Sequence, residues 1–112
     1  MNYQLELMPE KAKPREVAEL IAWLKWHEWE TARSCCIGLG MMSTESNKRE
    51  IRWLAEQAGA IVISGQSGYC HIENASLDDI AHFVSTMRSQ ASKMEARALA
   101  ADRWAHQKLG AA

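Results

Sequence analysis

The sequence predicts an α+β chain, mostly helical, in which three short helices lead into one β-hairpin and a long helix follows. Three observations carry this. Between Ser43 and Ala58, the residues Ile51, Leu54, Ala55 and Ala58 recur at helical spacing, and Gly59 stands where a left-handed glycine ends a helix. The β-branched run Ala60-Ile61-Val62-Ile63, the polar tip Ser64-Gly65-Gln66-Ser67-Gly68 and the alternating Tyr69-Cys70-His71-Ile72 then read as two strands and their turn. From Leu77 to Leu109 there is neither glycine nor proline, so one helix can run the whole way.

A chain of 112 residues suits one domain with an appendage. Hydrophobic residues make up 47%, enough for a core, which excludes disorder over most of the length. No apolar run approaches the roughly 20 residues that cross a bilayer. The opening stretch lacks the basic start and apolar stretch of a secretory signal, so a cytoplasmic location is expected. A net charge of −1 argues against a strongly basic nucleic-acid binder. It leaves room for a specific one, which needs only a local patch facing phosphate. Three cysteines occur without a CxxC pair, so they are expected to be small buried thiols, and no metal or cofactor site is anticipated.

Residues 1–13 read as an N-terminal arm or short strand, with Tyr3 to Leu7 alternating and Pro9 ending the alternation. Lys11, Lys13 and Arg15 add positive charge before the first helix. That helix is expected from about Pro14, suited to the first helical position, to Trp29. Val17, Leu20, Ile21 and Leu24 form its core stripe, and Trp23 and Trp26 fall outside it. The helix is therefore expected to bury a second face, against the C-terminal helix or another subunit. Thr31 is a good N-cap for a second helix, Ala32 to Leu39, with Ala32, Cys35, Cys36 and Leu39 apolar.

Ser43 and Thr44 are both candidate N-caps for the third helix. On its wheel Arg49 and Glu56 face away from the apolar stripe, Arg52 lies on the flank and Lys48 lies nearer the core edge. Asn47 projects toward the core side, where it can cap the helix start, and Trp53 points outward. Ser76 with Asp79 makes a capping-box start for the last helix. Along it Leu77, Ile80, Val84, Met87, Ala91, Met94, Ala98, Ala101 and Ala105 recur at alternating spacings of three and four, a heptad seam. A seam ~40 Å long outruns a body this small, so it is expected to pair with the same helix of a second chain, although folding back along Trp23 and Trp26 is the alternative.

The glycine stop at Gly59, the aliphatic strand Ile61, Val62, Ile63 and the closing pair Gly68-Tyr69 resemble the winged helix-turn-helix domains of the biotin-repressor N-terminal type, as in small bacterial and phage regulators. The resemblance covers about Pro14 to Glu73, so residues 14–75 are read as the winged-helix domain and 76–112 as the long C-terminal helix. It implies a small dimeric transcriptional regulator that binds double-stranded DNA. The helix from Ser43 to Ala58 would enter the major groove with Ser46, Asn47, Lys48, Arg49 and Arg52. The wing would reach the duplex with Gln66 and Ser67. Trp23, Trp26, Trp53, Met87, Met94 and Trp104 are the expected dimer or partner surface. The same fold serves as a protein-interaction adaptor, which is the alternative function.

No catalytic constellation is evident. His27, His71, His82 and His106 are scattered without metal-ligand spacing, and His71 reads as a strand-edge residue. The tip Ser64-Gly65-Gln66-Ser67-Gly68 closes a hairpin, whereas a nucleophile elbow opens a helix. An enzyme is not expected.

Overall fold

The computed structural model describes residues 13–111, with side chains over 17–110. The expected strand at Tyr3 to Leu7 lies outside the described residues. Four helices and one hairpin follow each other: α1 (Lys13–Lys25), α2 (Ala32–Gly38), α3 (Glu45–Gln57), β1 (Val62–Gly65), β2 (Gly68–His71) and α4 (Leu77–Ala111). Short 3-10 turns at Gly59–Ile61 and Ile72–Asn74 flank the hairpin. The expected α+β class, mostly helical with a small antiparallel sheet, is what the chain forms. Two compact units result, one ending at Ile80 and the other beginning at Ala81. Among the described residues no helix is long and apolar enough to cross a membrane.

The core joins α1, α2, α3 and the start of β1. Leu20 and Leu24 from α1, Cys35 and Cys36 from α2, and Ile51, Leu54 and Ala55 from α3 are buried together with Ala58 and Val62. These are the apolar stripes of the sequence, brought face to face. All three cysteines are free and buried. Cys70 donates from Sγ to the His71 carbonyl at 3.3 Å.

Caps set the helix starts. Thr31 accepts from the Ser34 amide at 3.1 Å, and Thr44, of the two candidates, accepts from the Asn47 amide at 3.1 Å. Gly59 takes φ +66 after α3, as a helix-ending glycine should. At α4 the capping box is complete. The Asp79 amide donates to Ser76 Oγ at 3.0 Å, and the Ser76 amide donates to Asp79 Oδ2 at 3.2 Å.

The first helix is shorter than its sequence pattern. It stops at Lys25, four residues before Trp29. Two tight i→i−3 bonds close it, Trp26 N to Trp23 O and His27 N to Leu24 O. Asn74, nearly fifty residues on, then donates its side-chain amide to the carbonyls of Leu24, Lys25 and His27 at 3.3, 2.9 and 2.8 Å. The chain then bends through 27–29 to Glu30, which exchanges both backbone hydrogen bonds with Tyr69 at 2.9 and 2.8 Å. β2 thus has β1 on one side and Glu30 on the other.

The hairpin is registered Val62↔His71, Ile63↔Cys70, Ser64↔Tyr69 and Gly65↔Gly68. Its first strand begins at Val62 rather than Ala60, because Gly59–Ile61 is used for a 3-10 turn, and Ile72 lies beyond β2 in the second such turn. Neither Gln66 nor Ser67 has positive φ. Gly68 carries it, at +114. A side chain there would also collide with the Glu30 carbonyl oxygen, so the bridge itself demands glycine.

Candidate nucleic-acid interface

The third helix turns one face inward through Ile51, Leu54, Ala55 and Ala58, and its outer face follows from the 3.6-residue period. Ser46, Arg49 and Arg52 are exposed. Asn47 and Lys48 are half-buried. Asn47 donates its side-chain amide to the Met42 carbonyl at 2.8 Å, tying the turn before α3 to the helix start. Lys48 pairs with Glu45 one turn back at 3.4 Å. Three carboxylates, Glu45, Glu50 and Glu56, alternate with Lys48, Arg49 and Arg52 along the helix. Cationic charge on this face is therefore local, set by where Arg49 and Arg52 stand rather than by a net sum.

Arg52 of the helix stands near Tyr69 of the hairpin. Burial pushes the Tyr69 phenol above its ordinary range, and the Arg52 guanidinium beside the oxygen pulls in the opposite direction. The tip residues Gln66 and Ser67 are exposed, and the hairpin's position is fixed from behind. The Trp29 ring lies against Gly65 and donates from Nε1 to Asp79 at 3.3 Å. Sequence reasoning missed Trp29, Glu30 and Asn74 because it carried the first helix through to Trp29. The one available signal was that Asn74 stands two residues before Ser76, the cap of α4, where polar side chains often serve backbone groups.

Two side chains depart from their expected places. Trp23 was expected on an outer face covered by the last helix or another subunit. It is half-buried within its own body, its indole laid on Gly38 of α2 and stacked on His27 at 4.0 Å between centroids. Gly38 makes this fit, since a Cβ there would enter the ring. His71 was expected at a strand edge. It is 5% exposed, and its Nδ1 accepts from the Glu73 amide at 3.1 Å, capping the short turn.

No family model, curated protein or solved structure matches this chain.

Of the other expected partner residues, Trp26 is 84% exposed, Trp53 37%, and Met87, Met94 and Trp104 are exposed along α4. Leu77, at the head of the expected seam, is 84% exposed and joins no core. The thiols are unreactive by position. Burial raises all three, Cys35 from 9.0 to about 12 with Glu30 and Cys36 adding to the effect. Among the described residues no group of histidines, cysteines and carboxylates is arranged to hold a metal ion.

Proposed function

We propose that this chain is a small sequence-specific DNA-binding protein of the winged helix-turn-helix kind, a transcriptional regulator acting as a dimer. The observation that carries the reading is the exposed Ser46–Arg49–Arg52 face of α3 beside a glycine-tipped hairpin with Gln66 and Ser67 at its end. A capped helix with Ser46, Arg49 and Arg52 exposed along one face can lie in the major groove, where Arg reads guanine bidentately. The wing tip can touch backbone phosphate. Support also comes from the Glu30–Tyr69 bridge, which gives the hairpin a third strand position and holds it against the helical body.

The test is selection of a site from random duplex DNA, followed by binding of the Arg49→Ala, Arg52→Ala double variant. Affinity is expected to fall by tenfold or more, since each base-reading Arg contributes about 1–3 kcal/mol. Tyr69→Phe serves as a control, because it removes the hydroxyl beside Arg52 without removing a charge. Binding of the double variant at the parent affinity overturns the assignment. A second reading, a protein-interaction adaptor, is favoured by Trp26, an aromatic ring left almost wholly in solvent. Salt decides between the two. Binding to duplex DNA weakens steeply as salt rises, and absence of any retention on DNA at low salt favours the adaptor.

A further inference from the structure

From Val84 to Gly110 every side chain of α4 is exposed, including Met94 at 63% and Trp104 at 61%. An isolated helix with such an apolar seam is not stable by propensity alone. We propose that this stretch pairs with the same stretch of a second copy of the chain as a parallel, in-register two-stranded coiled coil. The proposal rests on the dimer reading above and deepens it by fixing the orientation. It does not depend on DNA binding.

The charge pattern selects the orientation. With Val84, Ala91, Ala98 and Ala105 at heptad position a, and Met87, Met94 and Ala101 at d, the g positions are Gln90, Arg97 and Trp104. The e positions are Arg88, which falls opposite Phe83 of the second copy, and Glu95, Asp102 and Leu109. In a parallel pair each g residue meets the partner residue five places on. That gives Gln90 with Glu95, Arg97 with Asp102, and Trp104 with Leu109, each occurring twice and each complementary. Alanine layers at 91, 98, 101 and 105 let the axes approach toward the short end of the ~8–10 Å range. Flanking side chains such as Trp104 then reach across the seam.

Antiparallel registers do worse. Centring the crossing near Met94 and Ala98 sets Glu95 against Glu95. A shift toward the C-terminus sets Glu95 against Asp102. A shift toward the N-terminus, with Met87 opposite Ala98, gains an Arg88–Glu95 pair. It needs Ile80 and Phe83, already half-buried in their own chain, and leaves Asp102 and Leu109 without partners.

Cross-linking reads the orientation directly, without DNA. Met87→Cys and Ala98→Cys variants are made in the full chain, whose own cysteines are buried. On mild oxidation each variant is expected to link to itself. Linkage confined to mixtures of the two variants overturns the proposal, as does a monomeric mass by light scattering at every concentration up to the millimolar range. Charge exchange is the second arm. Arg97→Asp alone is expected to weaken dimerisation on the order of tenfold, and Arg97→Asp with Asp102→Arg to restore it. Because positions 97 and 102 do not face each other within one helix, restoration reports contact between chains, and failure of the exchange to restore overturns the parallel register.

Discussion

At the scale of single residues, Gly68 carries two constraints at once. Its φ of +114 is a region that L side chains rarely adopt, and the Glu30 carbonyl occupies the space a Cβ would need. Gly68→Ala is therefore expected to cost about 2 kcal/mol or more, read as a lower urea midpoint at an unchanged slope. Gly59→Ala should cost less, because its φ of +66 is strained for alanine but the space beside it is open. The sequence pointed to both glycines as punctuation. It could not reveal the second constraint on Gly68, since that depends on a backbone segment nearly forty residues away. Trp23 makes the same point. Its wheel position put it outside the stripe, and only the missing side chain of Gly38 explains how one body covers it.

Among elements, the end of α1 is the instructive one. Periodicity alone carried it to Trp29, since His27 and Glu28 break no rule of helix propensity. The helix stops at Lys25 because long-range bonds outcompete one more turn: Asn74 takes three carbonyls and Glu30 takes the free edge of β2. Replacing Asn74 by Ala is expected to destabilise the protein by about 1–2 kcal/mol, with the loss seen in thermal melts. The nearby Lys25–Glu73 pair, 2.8 Å but exposed at both ends, should contribute little by comparison. Helices α2 and α3 and the α4 cap were legible because their signals are local: a hydroxyl at the start, an apolar period, a glycine at the end. For the exposed face of α3, the wheel located Arg49 and Arg52. It could not show that Asn47 would be tied to the Met42 carbonyl, which is a matter of side-chain geometry in the turn.

For the whole molecule, the buried thiols set how stability responds to alkali. Unfolded cysteines ionise near pH 9, whereas burial holds Cys35 protonated to about 12 and raises Cys36 and Cys70 as well. The native state then binds more protons than the unfolded state, so stability falls as pH rises above about 9. For Cys35 the slope is about 1.4 kcal/mol per pH unit. Chemical unfolding at pH 8 and pH 10 should show the decline, and Cys35→Ala should make it shallower, with Cys36 and Cys70 carrying the remainder. The small sheet also has a consequence for motion. Glu30 stands between two helices in what would otherwise be a loop, yet its amide proton is locked in the same ring as that of Tyr69. In deuterium oxide the two amides should trade their protons for deuterons at one common rate, slower than their neighbours at Trp29 and Thr31. The linker and the hairpin would then breathe together as a single opening unit.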